Sequence, residues 1–189
     1  AGLAALSLGR GVYADGWPDF ISRYMQGGRA APGAQAQFAQ DLRGQTVFID
    51  RDLGLGDELF YLRFAPLLKA RGARVIYRAG DKIASLLDRL DCIDEVIGAD
   101  ADLPDSQASL LVTDLPMRLG LRDNRDIPPP LRLSVLPERR EIMRQRLAAL
   151  GPPPYIGLTW RAGSRPSGRV DGNLYKEAPL RELIAAIQG

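Results

Sequence analysis

Two loops of opposite charge hold most of the side chains in this 189-residue chain that could take part in chemistry. The first loop, residues 50–58 (DRDLGLGDE), carries four carboxylates against one arginine. The second, residues 160–176 (WRAGSRPSGRVDGNLYK), carries four cations against one aspartate. Glycines in both loops would let a ligand approach the backbone closely. The opposite charges predict a cleft in which the acidic loop binds hydroxyl groups and the basic loop binds an anion.

The acidic loop is unsuited to phosphate, because its carboxylates would repel a phosphate ligand. It also departs from the dinucleotide-binding pattern GxGxxG, since Leu59 occupies the place of the third glycine. The next strand ends at Tyr77-Arg78, without the acidic residue that would bind a ribose. These departures argue against an NAD-dependent oxidoreductase.

We therefore assign the acidic loop to a hydroxyl-bearing acceptor, with Gly54, Gly56 and Glu58 as candidate binding residues. Asp57 directly follows the glycines, and we predict that its carboxylate removes the proton of the acceptor hydroxyl as a general base. The alternative role for Asp57 is the N-cap of a helix that begins at Glu58. The two roles are compatible with each other.

The basic loop follows an apolar run, residues 155–160 (YIGLTW), and precedes a predicted helix. Loops at this position bind ligands in open α/β sheets. Five residues are candidates for binding the diphosphate of a donor: Trp160, Arg161, Gly163, Ser164 and Lys176. Arginine and lysine side chains suit a diphosphate. The alternative is a solvated basic loop that binds nothing.

The composition excludes several classes of site. The chain has no histidine, which removes the commonest general base and metal ligand and every Ser-His or Cys-His nucleophile. Its single cysteine, Cys92, forms neither an intramolecular disulfide nor a cysteine-clamped zinc site. Any proton transfer must therefore use Asp, Glu, Lys or Tyr.

Charge and hydropathy limit the partners in the same way. The net charge is only +2 and the charged residues are interspersed, so we expect no nucleic-acid partner. No apolar run approaches the roughly 20 residues of a membrane span, and the first residues lack the basic region of a signal peptide. We therefore expect no transmembrane segment and a cytoplasmic location.

The elements that must position the acidic loop follow a βαβ pattern. Apolar runs predict strands at 47–49 and 73–77, joined by one helix that Gly72 closes as its C′ residue. Further strands are predicted at 93–97, at 108–113 and, at an edge, at 131–135. The strand at 108–113 is predicted to be central, because it is uncharged and mostly apolar.

Three more helices complete the prediction. One covers 81–90 with Asp81 as its N-cap, and one covers 179–187. The third covers 137–150 and is predicted to turn three apolar residues inward: Ile142, Leu147 and Leu150.

This order of elements predicts an α/β fold, a Rossmann-like parallel sheet with helices on both faces, preceded by a short helical segment. The helical segment, residues 1–30, is either the end of a helical repeat array or an N-terminal arm packed on the main domain. Residues 29–43 are predicted to form a linker, and residues 42–150 the Rossmann-like domain. After prolines 152–154, a new βα unit at 155–189 either opens a second domain or adds a strand to the first sheet.

The chain resembles the glycosyltransferase-like domain that follows tetratricopeptide repeats in bacterial proteins, a domain similar to the lipopolysaccharide heptosyltransferases. Six runs carry the resemblance in the family's order: GLGD (54–57), RFAPLL (63–68), RGARV (71–75), DEVI (94–97), DLP (114–116) and IGLTW (156–160). Gly16-Trp17 with Arg23 also resembles the family's helical entry segment. The resemblance covers most of residues 13–189.

The resemblance implies a GT-B architecture, in which two Rossmann-like domains face each other across a cleft. The N-terminal domain would bind the acceptor and the C-terminal domain the nucleotide-sugar donor. The resemblance also implies metal-independent inverting transfer, with no metal site and no cofactor, the nucleotide sugar being a substrate. Asp57 matches the family's proposed base, and Lys176 is the nearest match to a lysine that contacts the donor phosphates. The chain departs from the family at Arg51-Asp52-Leu53, where Glu-Gln is common, and at Arg161, where a small residue is usual.

Two functions therefore compete. The first is a glycosyltransferase or a fragment of one, apparently truncated in its donor domain, for which we expect no catalysis by 189 residues alone. The second is a non-catalytic Rossmann-like binding or interaction module after helical repeats, which would also present those repeats to protein partners.

Overall fold

The computed structural model describes residues 2–25, 37–162 and 176–188. It confirms the predicted α/β class, a Rossmann-like parallel sheet of four strands flanked by helices and preceded by a short helical segment. The chain divides into two compact units, Ala1–Ser134 and Val135–Gly189, which we describe separately. The helix predicted at 137–150 therefore groups with the C-terminal unit, whereas the sequence had placed it in the Rossmann-like domain.

Two helices, α1 (Gly2–Gly9) and α2 (Tyr13–Met25), form the start of the chain. α2 buries Trp17 and Ile21, and both belong to the same hydrophobic core as the sheet. The segment is thus packed on the main domain, as the arm alternative predicts. That it ends a repeat array stays a prediction, and residues 26–30 lie outside the described residues.

The predicted linker at 29–43 is described only from residue 37. Phe38 and Leu42 are buried in the core. The Phe38 N–H also donates to the Arg118 carbonyl at 2.6 Å. The end of this stretch is therefore part of the domain, because its two large apolar side chains are buried with those of the sheet.

Four strands form the parallel sheet in the order β3-β2-β1-β4: β1 (Thr46–Asp50), β2 (Arg74–Arg78), β3 (Glu95–Ile97) and β4 (Ala108–Leu111). Val47 of β1 lies opposite Val75 of β2 and Ala108 of β4. Residues 47–49 are fully buried, as expected for a strand that is covered on both faces. The prediction that β4 is central was wrong, since it is an edge strand among the described residues. An apolar composition indicates that both faces of a strand are covered, but it does not indicate where the strand lies in the sheet.

The helix predicted between β1 and β2 is interrupted. It consists of α3 (Leu55–Tyr61), a 3-10 turn (Leu62–Phe64) and α4 (Ala65–Ala70). Pro66 explains the break, because proline has no N–H to donate to the carbonyl four residues earlier. Gly72 ends this region as predicted, with a φ of 90° in the left-handed region.

Two further predictions for the first unit were wrong. Helix α5 covers only Ala84–Leu87 with Ile83 as its N-cap, so Asp81 does not cap it. Asp81 lies instead in a turn that the Ile83 N–H closes by donating to the Gly80 carbonyl at 3.1 Å. Residues 131–135 form no strand, because they pair with no neighbouring strand of the described chain.

After β4 comes the short helix α6 (Leu115–Arg118).

The second unit contains α7 (Pro137–Ala148), β5 (Arg161–Ala162), β6 (Lys176–Glu177) and α8 (Leu180–Gln188). The two short strands pair in antiparallel fashion. The helix predicted at 179–187 is confirmed as α8 to within one residue at each end.

Two predicted features of the second unit were wrong. The run at 155–160 forms no strand, and Ile156 is 76% exposed. α7 is confirmed as a helix, but Ile142 and Leu150 are exposed and Leu147 is only half-buried. A strand or an amphipathic helix is buried only against neighbours, and the described residues of this unit supply none for these faces.

Candidate functional site

The acidic loop lies at the point where the strand order of the sheet reverses. The chain moves from β1 outward to β2 and β3, and then returns to place β4 on the other side of β1. Open α/β sheets bind ligands at the carboxyl ends of the strands beside such a reversal. Residues 51–54 leave the carboxyl end of β1, so the loop that the sequence singled out occupies this position.

A hydrogen bond ties the acidic loop to the end of β4. Thr113 Oγ1 donates to Asp52 Oδ2 at 2.8 Å, across 61 positions of the sequence. Thr113 is fully buried in the 3-10 turn that follows β4, residues 112–114. The Asp52 carboxylate therefore anchors the loop on the neighbouring strand.

Asp50 also has a structural partner. Its Oδ2 atom accepts a hydrogen bond from Arg78 Nη1 at 3.2 Å, which joins the ends of β1 and β2. The Arg78 guanidinium also donates to the Ala101 carbonyl at 3.1 Å and lies 5.2 Å from the Phe48 ring centroid. Two of the four carboxylates in the loop are thus used to hold its ends.

The two glycines shape the start of α3. Gly54 is the N-cap in an extended conformation, and the helix begins at Leu55, three residues earlier than predicted. Gly56 therefore lies inside the first turn, where a Cβ would meet no atom within 4 Å. Asp57 is the third residue of the helix and not its N-cap, although its Oδ2 does accept a hydrogen bond from the Gly54 N–H at 3.3 Å.

The Asp57 side chain is the accessible carboxylate of this turn. It is exposed, and its bond from Gly54 is long. Within the described residues the carboxylate has no other hydrogen bond and no ion pair. One carboxylate oxygen is therefore open to a proton from a bound hydroxyl group.

Glu58 differs from its neighbour because it points into the core. It is buried, and its Oε2 atom accepts a hydrogen bond from the Tyr77 hydroxyl of β2 at 2.7 Å. Burial, followed by the hydrogen bond to Glu58 and its charge, raises the pKa of the Tyr77 hydroxyl far above its ordinary value. The tyrosine therefore remains a donor, and Glu58 lies beneath the loop surface that would meet an acceptor.

In the second unit, three of the five candidate residues meet at one cavity. Trp160, Arg161 and Lys176 line a cavity of about 370 Å³, together with Glu177 and three neighbouring residues. The Ala178 N–H donates to the Trp160 carbonyl at 2.8 Å, beside the paired residues of β5 and β6. Gly163 and Ser164 lie outside the described residues.

The charges of this cavity are mixed. Arg161 lies opposite Glu177 in the strand register, and its guanidinium is 5.8 Å from the Trp160 ring centroid. Lys176 is exposed opposite Ala162. Two cations beside an indole ring suit an anion that carries a flat or apolar group, and Glu177 limits how much negative charge the site accommodates.

Comparisons with known proteins leave the family open. No known protein family, no curated protein and no solved structure matches the chain. Among the described residues no cluster of acidic or cysteine side chains could hold a metal ion, and no helix is long and apolar enough to cross a membrane.

Sequence reasoning missed three side chains that build the acidic site: Tyr77, Arg78 and Thr113. Each acts across a gap of 19 or more positions, on Glu58, Asp50 and Asp52 respectively. Local spacing carries no signal for such pairs. The order of the strands would have indicated the Asp52–Thr113 contact, since it places the ends of β1 and β4 side by side.

Proposed function

We propose that this chain supplies the acceptor side and the first donor-side unit of an inverting, metal-independent glycosyltransferase of GT-B architecture. It would transfer a sugar from a nucleotide-diphosphate donor to a hydroxyl group of an acceptor, in the cytoplasm. The observation that carries the proposal is the exposed Asp57 carboxylate, which lies on a glycine turn at the strand-order reversal of a parallel sheet.

The rest of the acidic loop supports this role for Asp57. Asp50 and Asp52 are held by Arg78 and Thr113, so the loop has a defined position. Gly54 and Gly56 are exposed and place no side chain of their own beside Asp57. A sugar hydroxyl could therefore approach the Asp57 carboxylate to hydrogen-bond distance, as a general base requires.

The proposed reaction is a single displacement. The acceptor oxygen forms a bond to the anomeric carbon of the donor sugar, while the bond from that carbon to the diphosphate breaks. Asp57 takes the proton of the acceptor hydroxyl, and the nucleoside diphosphate leaves with the electron pair of the broken bond. Arg161 and Lys176, which share the cavity of the second unit, would stabilise its negative charge.

The direct test is the variant Asp57→Asn in the protein expressed from its complete reading frame. Asparagine keeps the shape of the side chain and an oxygen for the Gly54 N–H, but it cannot take a proton at neutral pH. We expect transfer to fall by about 10²- to 10⁴-fold, the usual contribution of a general base. Release of the nucleoside diphosphate from a panel of sugar nucleotides, with polyol and glycan acceptors, measures this loss.

The matched control is Asp105→Asn. Asp105 is an exposed carboxylate that precedes the amino end of β4, whereas the acidic loop follows the carboxyl end of the parallel strand β1. We expect this variant to retain parental turnover, and both variants to retain the parental urea midpoint. Parental turnover in Asp57→Asn would remove Asp57 from the mechanism.

A non-catalytic binding module is the second candidate, and one observation favours it. Asp57 accepts the Gly54 N–H at the start of α3, so its presence has a structural explanation without catalysis. This candidate predicts no heat on titration with any sugar nucleotide. The glycosyltransferase predicts saturable heat with one donor class, and charge-removing variants of Arg161 and Lys176 should weaken that binding.

A further inference from the structure

Beneath the glycine turn lies a buried carboxylate that the proposed transfer does not use. Glu58 is 7% exposed, and its hydrogen-bond partner Tyr77 is fully buried. The Tyr77 hydroxyl donates to Glu58 Oε2 at 2.7 Å. No cation pairs with Glu58 anywhere in the described parts of the chain. A buried acid is thus held by a single neutral donor.

Stability alone does not account for this pair. Removing a carboxylate from water costs free energy, and one hydroxyl group offsets only part of that cost. Two apolar side chains of similar shape would stabilise the same region of the core at least as well. The pair is better explained by what it holds in place.

The bond joins two elements that meet below Asp57. Tyr77 lies on β2, and Glu58 lies in the first turn of α3, directly after Asp57. The Glu58 N–H donates to the Gly54 carbonyl at 2.9 Å, while the Gly54 N–H donates to Asp57 Oδ2. The side-chain bond from β2 therefore acts on the same turn that fixes the Asp57 carboxylate.

We propose that Glu58 and Tyr77 are a positioning pair, in which the bond from β2 holds the first turn of α3 and so aims Asp57 at the acceptor hydroxyl. This inference rests on the proposed role of Asp57 as the base. Neither Glu58 nor Tyr77 contacts the acceptor, because both side chains are buried. Their effect on transfer passes entirely through the placement of Asp57.

Three variants separate positioning from stability. Glu58→Gln keeps an oxygen that accepts the Tyr77 hydroxyl, and it serves as the conservative control. Tyr77→Phe removes the donor and leaves Glu58 buried without a partner. The double variant Glu58→Met, Tyr77→Phe removes both polar groups and restores apolar packing, so its urea midpoint should return to the parental value or exceed it.

The decisive readouts are local. Amide hydrogen exchange at Glu58 and the two residues after it reports the first turns of α3, and kcat and KM report transfer. In the double variant we expect exchange there about tenfold faster than in the parent, as the loss of one charged hydrogen bond implies. We expect kcat lower by about 10- to 100-fold with KM within about twofold, because misplacement of a catalytic group acts on the chemical step.

Two outcomes distinguish the failure of this inference from that of the proposed function. If Asp57→Asn is inactive but the double variant shows parental exchange and parental kcat, the positioning pair is overturned and the base remains. If Asp57→Asn retains parental turnover, the base role is overturned, and the positioning role falls with it. Glu58→Gln keeps an acceptor for the Tyr77 hydroxyl, so its exchange and kcat should lie closer to the parent than those of the double variant.

Discussion

At the scale of single residues, Leu53 of the glycine turn has a backbone conformation that is unfavourable for a residue with a side chain. Leu53 has a φ of 60°, in the left-handed region that non-glycine residues rarely adopt. Leu53 is also 55% exposed, so burial of its side chain compensates little for this conformation. The strain lies between Asp52, which is tied to Thr113, and the N-cap Gly54, and strain of this kind collects at functional sites.

The strain at Leu53 can be measured by substitution. We expect Leu53→Gly to raise the free energy of unfolding by about 0.5–1 kcal/mol, since glycine avoids a left-handed cost of about 1–2 kcal/mol but loses more backbone entropy. Leu53→Ala is the control, because it keeps Cβ and should stay within about 0.5 kcal/mol of the parent. Urea unfolding at pH 7 measures both. A glycine variant less stable than the parent would show that packing of Leu53 outweighs its strain.

At the scale of elements, the sequence predicts what depends on near neighbours. The apolar runs at β1 and β2 and the helix end at Gly72 are confirmed, since each follows from spacing within a few residues. The strands predicted at 131–135 and 155–160 are wrong, because a strand needs a partner that local pattern does not reveal. The position of β4 at the edge of the sheet was missed for the same reason, because local pattern does not reveal which strands pair.

The candidate site was predicted in part for a related reason. The glycines and Asp57 follow β1 directly and Asp57 is exposed, but Asp57 is not the N-cap and its role as a base stays a prediction. The start of α3 was placed three residues late, at Glu58 instead of Leu55. Because of that error, Glu58 was predicted to lie on the loop. In the structure the helix has already begun at Leu55, and the Glu58 side chain points into the core, where it accepts a hydrogen bond from Tyr77.

Asp94 connects three elements of the first unit, and its charge makes that connection depend on pH. Lys69 of α4 donates to Asp94 at 2.6 Å, and the Val75 N–H of β2 donates at 2.7 Å, just before β3 begins. Burial alone would raise the pKa of Asp94, but these two hydrogen bonds together with the charges of Lys69 and Arg74 outweigh it and hold the pKa below its ordinary value of 3.8. The stabilisation is therefore present above pH 3.8 and is lost as the pH falls through the lowered pKa.

We expect Asp94→Asn to lower the free energy of unfolding by about 1 kcal/mol at pH 7, because the pair is partly exposed. The difference from the parent should shrink as the pH falls from 3.8 through the lowered pKa, where the Asp94 carboxylate of the folded parent takes up a proton. Urea midpoints at pH 7 and at acid pH measure both values. Asp105→Asn, at an exposed position, should show no such difference, and an Asp94→Asn deficit that is constant with pH would contradict the role of the charge.

At the scale of the whole molecule, the N-terminal helices and the sheet of the first unit share one core. Trp17 and Ile21 of α2 are buried with residues of β1, β2 and β4. The Trp17 ring lies 6.3 Å from the ring of Tyr61, the last residue of α3. The helical segment therefore contacts the helix that carries Asp57, and it is a part of the scaffold that positions the candidate site.

A shared core predicts that the segment and the sheet unfold together. In a Trp160→Phe background, Trp17 is the one remaining tryptophan, so its fluorescence reports α2 alone. We expect its urea midpoint to coincide with that of the β1 amide signals, because neither element can lose the core contacts without exposing the other. Leu3→Ala, at an exposed position of α1, should leave both midpoints unchanged. A Trp17 transition at lower urea than the β1 transition would contradict the shared core. It would show that α1 and α2 unfold independently of the sheet, and their unfolding should then leave the position of α3 unchanged.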